Sequence, residues 1–266
     1  GLETIPTQFR GFAYEGAAMA FAIRDGLPLG GGRHVTEFLA GRADAHVYMV
    51  YVGIGWAMAR LPRMRWPRAD ALDPLLRWLV LDGYGFHQAY FQTAKYVDGQ
   101  YQRDRFPWPA DVIGGYPNRA IDQGIGRAMW FVGGCDTTRV ATMIDSFPER
   151  RRADLYSGAG LAATYAGGAD ESELHAFQAH AGVHGGVIAQ ASAFAADARV
   201  RAGLVVPHTH VATQVFCGTT PERAAQRAQE VRPDAAELDA EGVLPAYEAW
   251  RRRVANEFVP SGGIRP

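Results

Sequence analysis

Lysine is almost missing from this chain: Lys95 is the only one among 27 basic residues, and arginine supplies the rest. That bias records a GC-rich coding composition rather than a binding surface, because 28 acidic residues bring the formal net charge to −1. A charge so close to zero sets up no long-range field, which argues against nucleic acid or an anionic membrane as the main partner. Cysteine is scarce too. Cys135 and Cys217 are the only two and lie far apart, which excludes a disulfide framework and any CxxC-type metal knuckle and predicts free thiols in the cytoplasm. The start, Gly1-Leu2-Glu3-Thr4, has neither a basic n-region nor an apolar h-region, so it does not read as a signal peptide. It also lacks an initiator Met, which predicts a trimmed chain. The longest apolar run, 47–59, is too short to cross a bilayer and is interrupted by Gly53 and Gly55.

What the chain does have is glycine in a pattern. GIGRAMWFVGGCD (124–136) and GAGLAATYAGGAD (158–170) match at six positions with an offset of 34 residues. Gly53-Ile54-Gly55-Trp56-Ala57-Met58 matches 124–129 at an offset of 71, about two such lengths, with a looser Gly83-Tyr84-Gly85 between them. Asp136 and Asp170 each follow a Gly-Gly pair, which reads as helix end, tight turn and N-cap aspartate, and Glu173 completes a capping box with Asp170. Further starts are marked by Asp73-Pro74, by Ser146 ahead of Pro148, and by Thr220-Pro221. Apolar residues recur at helical spacing in 72–91 and 155–166. Only 46–52 and 204–206 read as β.

The predicted architecture is therefore all-α: a single domain over 1–266 of stacked helix pairs with a Gly/Ala-rich repeat near 34 residues. The packing resembles tetratricopeptide and other helical repeats, although the strict tetratricopeptide pattern fails at its later Ala and aromatic positions. The stretch 93–116, with Pro107, Pro109 and Gly114-Gly115, predicts a long surface loop or lid. C-terminal helices follow at about 220–231 and 240–256, and 260–266 reads as a frayed tail.

Three groups carry candidate chemistry. The 47–59 run enters Gly-x-Gly like a dinucleotide fingerprint, but Met58 stands where a third small residue is required, and helix packing accounts for the glycines. His180 and His184, and His208 and His210, lack the third and fourth ligands of a zinc site. The third group is polar residues set beside the glycines of apolar helices: Glu15, then Asp82 and His87, then Asp122, Gln123 and Arg127. Burying such groups is costly unless they are paired. One reading is structural, with Glu15 or Asp122 paired to Arg127 and Asp82 fixing an imidazole. The other is a pocket in which His87 and a carboxylate move protons. Nucleophile elbows, P-loops and HExxH are absent.

With these segments in view the chain resembles a known family. RGFAYEGAAMAFAI (10–23), HVYMVYVGIGWAMARLP (46–62), LRWLVLDGYGFHQAYF (76–91), RAIDQGIGRAMWFVGG (119–134) and RRADLYSGAGLAATYAGG (151–168) are similar to the UnbL-like proteins. That family, of unknown function, accompanies the polyketide synthase cassette in enediyne gene clusters of actinomycetes. The resemblance implies an N-terminal helical segment ahead of the first block. It also implies a part in making or maturing the enediyne core, whose precursor is a long apolar polyene; separately, no organic cofactor and no metal are expected. Tyr14, Glu15, Tyr48, Asp82, His87, Asp122, Gln123, Arg127 and Trp130 fall within the matching blocks. Glu15, Asp82, His87, Asp122 and Arg127 are the candidate catalytic residues; Tyr14, Tyr48, Gln123 and Trp130 are the candidate ligand contacts.

Two functions follow. In the first, the protein binds and modifies the polyene or early core in a cavity holding these polar groups. In the second, it is a non-catalytic scaffold whose concave repeat surface docks the synthase or other pathway proteins. Polar groups converging on a cavity would favour the first, and an open groove the second.

Overall fold

The computed structural model describes residues 1–28, 30–109, 115–239 and 244–258. Among them are thirteen α-helices and no strand. In order these are α1 (Thr7–Gly26), α2 (His34–Leu39), α3 (Val47–Arg60), α4 (Trp78–Phe91), α5 (Tyr116–Val132), α6 (Thr137–Asp145), α7 (Glu149–Ala166), α8 (Glu171–Ala181), α9 (Gly185–Arg201), α10 (Pro207–Cys217), α11 (Pro221–Glu230), α12 (Ala235–Asp239) and α13 (Ala246–Glu257).

The predicted caps at Asp136, Asp170 and Thr220 form, whereas Ser146 closes α6 and does not cap α7. Asp136 accepts from the Arg139 amide at 3.0 Å, and Asp170 and Glu173 close a reciprocal capping box. The Thr220 hydroxyl accepts from the Arg223 amide, and Pro148 stands at the entry to α7. Asp73 holds the turn ahead of α4 by accepting from the amides of Leu75 and Leu76 at 2.8 and 2.9 Å. Between α5 and α6 the chain reverses through Gly134 at φ 74°, a left-handed conformation that glycine adopts without strain.

The Gly-x-Gly motifs are where the long helices cross. In each pair the first glycine faces the preceding long helix and the second the following one. Gly53 lies against the Glu15 carbonyl of α1 and Gly55 against Val80 of α4. Gly83 answers at Val52 and Gly85 continues to Ile121 of α5. Gly124 meets the Asp82 carbonyl, Gly126 meets Leu155 of α7, Gly158 meets Gln123, and Gly160 meets Ile188 of α9. A Cβ at most of these positions would overlap a backbone carbonyl oxygen, so the backbones are in direct contact. The crossings recur along the chain, while the connections between them do not: an irregular stretch joins α3 to α4, and α6 joins α5 to α7.

The series closes on itself. Tyr165 near the end of α7 brings its hydroxyl against Gly11 of α1 and meets Phe12 edge-on at 5.3 Å. Arg199 of α9 donates to the carbonyls of Thr7, Gln8, Leu204 and Tyr165, and its guanidinium lies 4.1 Å over the Tyr165 ring. Helices α1, α3, α4, α5 and α7 thus form a ring, backed by α9 and α13. Helix α13 is fastened by Arg251, which bonds Asp154 at 2.8 Å, and by Glu248, which takes Arg119 at 2.9 Å.

The structure departs from the sequence expectations at four places. The 46–52 run is not a strand: 47–52 opens α3, and His46 precedes it. A continuous apolar run marks burial on all sides, and here the burial is that of a helix with a neighbour on either flank. Residues 204–206 likewise form no strand. Nor is 93–116 simply a surface loop. A π-helical turn at Ala94–Asp98 opens it, and Phe106 and Trp108 are buried, with Phe106 stacked 5.5 Å from Trp66. The C-terminal helix begins at Ala246 rather than near 240. Residues 110–114 of the predicted loop, 240–243 of the predicted helix and the predicted tail 260–266 lie outside the described residues.

The crossings can be tested by paired substitutions. Gly124→Ala, which drives a Cβ into the Asp82 carbonyl, should cost at least about 3 kcal/mol in urea unfolding. Gly16→Ala, inside α1 with nothing within 4 Å of the added carbon, should gain roughly 0.5–1 kcal/mol. Similar values for the two would remove the close-contact explanation.

Candidate functional site

Between the helices of the ring lies a cavity of about 370 Å³ that opens to solvent past the exposed Tyr90 and Gly16, within the range of about 300–1,000 Å³ usual for small-molecule sites. Helical spacing determines its walls. Phe12, Glu15 and Met19 come from one face of α1, Met49 and Trp56 from α3, and Phe86 and Tyr90 from α4. Arg127 and Phe131 come from α5, and Leu161, Ala162, Tyr165 and Ala166 from α7. Each set repeats at three, four or seven residues, the spacing that keeps side chains on one face. The lining is apolar and aromatic except for a few groups.

Those groups form a cluster. Arg127 Nη2 stands 2.7 Å from Asp82 Oδ1, and the Arg127 guanidinium lies 4.9 Å from the centre of the Phe86 ring. The ion pair is close but misaligned. Both Asp82 oxygens, Arg127 Nε and Arg127 Nη2 are buried without a hydrogen-bond partner in the protein. The Tyr165 hydroxyl is in the same condition, and the Trp56 indole N–H makes no well-aligned bond, its nearest acceptor being the Glu15 carboxyl. Asp82 is 2% exposed, Glu15 7% and Arg127 8%, so the cluster is shielded from bulk water.

Burial dominates the electrostatics. It pushes the Glu15 carboxyl up to about 7, with Arg127 pulling the other way, Asp82 adding to the rise, and the Trp56 indole favouring the ionised form. Burial also raises Asp82, against the opposing pull of Arg127. The Tyr165 hydroxyl is pushed up to about 12 by burial, so it stays protonated at neutral pH. Glu15 is therefore a carboxyl that changes charge near neutrality beside a fixed ion pair, the condition for general acid–base work. On the far side of Arg127 a smaller void of about 50 Å³ is lined by Asp82, Tyr48, Tyr247 and Trp250. Met49, Arg127, Leu161 and Tyr165 face both spaces.

Of the candidate residues, the structure brings Glu15, Asp82 and Arg127 together. His87 is elsewhere: its ring packs against Trp56 at 5.6 Å and Phe91 at 4.7 Å, and burial lowers its pKa. Asp82 does not hold it, because five residues along a helix turn a side chain about 140° away. The same spacing separates Asp122 from Arg127. Asp122 instead takes Arg151 in a two-pronged pair at 2.7 and 2.9 Å and accepts from Gln102, while burial raises its pKa to about 6. Tyr48 lines the smaller void, where its hydroxyl bonds Asp197 at 2.7 Å. Gln123 reaches Tyr247, which also lines it, at 3.5 Å. Tyr14 stacks 3.7 Å from His46 and donates to Glu3 at 2.5 Å, away from the cavity. Trp130 donates to the Gly167 carbonyl at 2.9 Å and fixes the end of α7.

The histidine pairs also separate. His180 meets Asp145 at 2.6 Å, His184 stands 3.5 Å from Glu149, and His208 lies 3.0 Å from the Tyr165 carbonyl. Among the described residues no three His, Cys, Asp or Glu side chains are grouped to hold an ion. No helix among them is long and apolar enough to cross a membrane. Trp56, Tyr165 and Arg151 are site or support residues that the sequence pattern passed over. The first two sit beside the glycines already singled out, at Gly-Trp and Tyr-Ala-Gly-Gly, which was the available signal.

Fold and site together define an all-α protein whose helices close around an aromatic cavity with a buried ionisable centre. The chain belongs to the family described as protein of unknown function (DUF1702), whose model matches residues 1–258. No curated protein and no solved structure is found to match it.

Glu15 sets a pH dependence whose sign is fixed. Its folded pKa of about 7 lies above the ordinary 4.5, so the unfolded chain releases the proton first. Stability contributed by the neutral buried acid is complete below 4.5 and is lost as pH rises towards 7. Glu15→Gln removes that loss. Its stability relative to the unsubstituted protein should improve by about 3 kcal/mol between acid pH and pH 8 in urea unfolding. A difference that stays flat with pH would contradict the assignment.

Proposed function

We propose that this protein binds the apolar polyene, or an early enediyne-core intermediate formed from it, and moves a proton on that ligand. The observation that carries the reading is the aromatic cavity with buried Glu15 poised near neutrality beside the Arg127–Asp82 pair. An apolar ligand gains about 25 cal/mol for each Å² it removes from water, so such a lining supplies affinity without many polar contacts. The chemistry available needs no organic cofactor: one carboxyl gives and takes a proton, and Arg127 with its neighbours stabilises charge as it develops. The resemblance of the five sequence blocks to the UnbL-like proteins is what connects the ligand to enediyne biosynthesis. The scaffold reading draws less support, because the small-residue faces of the helices are turned on one another and around the cavity.

Deletion of the gene in a producing strain, with mass spectrometry of the accumulated polyene, tests the proposal. A new species isomeric with a pathway intermediate supports it, whereas lower flux with no new species supports scaffolding. In vitro, Ala162→Phe fills the cavity. It should abolish quenching of tryptophan emission by a linear polyene while leaving the helical circular dichroism unchanged. Undiminished quenching would place binding elsewhere.

A further inference from the structure

The unpartnered groups around the cavity are mostly of one kind. Arg127 Nε and Nη2 and the Trp56 indole N–H can only donate, and the Tyr165 hydroxyl has a proton to give; all four are buried and belong to residues lining the same space. The unpartnered acceptors, the two Asp82 oxygens, lie behind Arg127 towards the smaller void. A buried donor without a partner costs about 1–3 kcal/mol, and a ligand oxygen that accepts from it recovers that cost. This points to an acceptor oxygen on the ligand. Charge then narrows the class. Arg127 is already neutralised by Asp82 at 2.7 Å, so a carboxylate placed beside them would be an uncompensated buried anion, next to Glu15 as well. A ketone or aldehyde oxygen accepts the same bonds and adds no charge.

We propose that the ligand is an apolar chain bearing a neutral carbonyl whose oxygen accepts from Arg127 and Trp56, and that Glu15 exchanges a proton with the carbon beside that carbonyl. The inference rests on the cavity being the ligand site. In the step, the Glu15 carboxylate takes the proton from a saturated carbon next to the carbonyl, or from the saturated carbon that ends the conjugated system, in which case each intervening C=C pair shifts by one position. The C–H pair becomes the new C=C bond, and the C=O π pair moves onto oxygen, where the Arg127 and Trp56 donors hold it. Return of the proton from Glu15 to the same or the conjugate carbon restores the carbonyl and leaves the double bonds in place or shifted. Nothing is oxidised or consumed.

The test uses the full chain and three linear probes of equal length: a trienone, a triene hydrocarbon and a trienoic acid, titrated by quenching of tryptophan emission. The trienone should bind at least about tenfold more tightly than either other probe, a ratio that one hydrogen bond to a charged donor supplies. Arg127→Met, and Trp56→Phe as the milder change, should reduce that preference towards unity while leaving triene binding in place. In deuterium oxide the trienone should take up deuterium at the saturated carbon next to its carbonyl or at the saturated carbon that ends its triene, read by mass spectrometry. Glu15→Gln should bind it and lose the uptake. Equal binding of trienone and triene, tightest binding of the acid, or uptake that survives Glu15→Gln would each overturn the inference while leaving the cavity as a ligand site. Failure of all three probes to bind would overturn both.

Discussion

The structure depends on helix backbones touching. Where two helices meet through glycine their axes come closer than side chains would allow, and a carbonyl oxygen of one rests on the Cα of the other. Each glycine in a helix costs about 1 kcal/mol in propensity, so eight of them are maintained by what the contact gains. The contacts also position the site. The carbonyl facing Gly53 is that of Glu15, and the one facing Gly124 is that of Asp82. Gly158 packs against the backbone of Gln123 and Arg127. The three residues of the polar cluster are thus the ones whose backbones are clamped at the crossings, and this holds their side chains at fixed separations on rigid elements. Side chains on either flank of a crossing must splay apart, and the space they leave inside the ring is the cavity.

The buried charges differ in a way that separates support from chemistry. Arg151 and Asp122 meet in aligned, two-pronged geometry, and Arg119, Asp154, Glu248 and Arg251 form a connected network with Gln190 and Tyr116. Arg199 spends its charge on four carbonyls and one aromatic face. These arrangements are largely satisfied within the protein and fasten α13, α9 and the 100–109 segment to the ring. Among the described residues, only the Arg127–Asp82 pair faces a cavity with bonding capacity left over on both partners. A buried pair is weak evidence for stability, and one left incomplete beside an aromatic hollow is better explained by a ligand.

Much of this was legible in the sequence, for reasons that are local. Caps at Asp136, Asp170 and Thr220 are decided by a few neighbouring residues, and the all-α class follows from the helical spacing between them. Glycines recurring beside polar residues identified Glu15, Asp82 and Arg127, because a polar residue in a buried helix needs a partner. What could not be read was which helix supplies it. Asp82 finds Arg127 across the α4–α5 crossing, and Asp122 finds Arg151 rather than Arg127. Such pairings depend on crossing angle and rotation, which a single helix does not encode. The 46–52 run misled because continuous burial looks the same in a strand and in a helix with neighbours on both sides. Ring closure, through Tyr165 on Gly11 and Arg199 on α1, joins residues more than a hundred positions apart and left no periodic trace.

The proposed chemistry requires that the buried Glu15 carboxyl titrate near neutrality. Carbon-13 NMR titration of the Glu15 side-chain carboxyl, assigned by comparison with Glu15→Gln, measures this directly. The expected midpoint is near 7, well above the ordinary 4.5. A midpoint at or below 4.5 would mean that the group is solvated or fully ion-paired, and would contradict the buried acid–base centre.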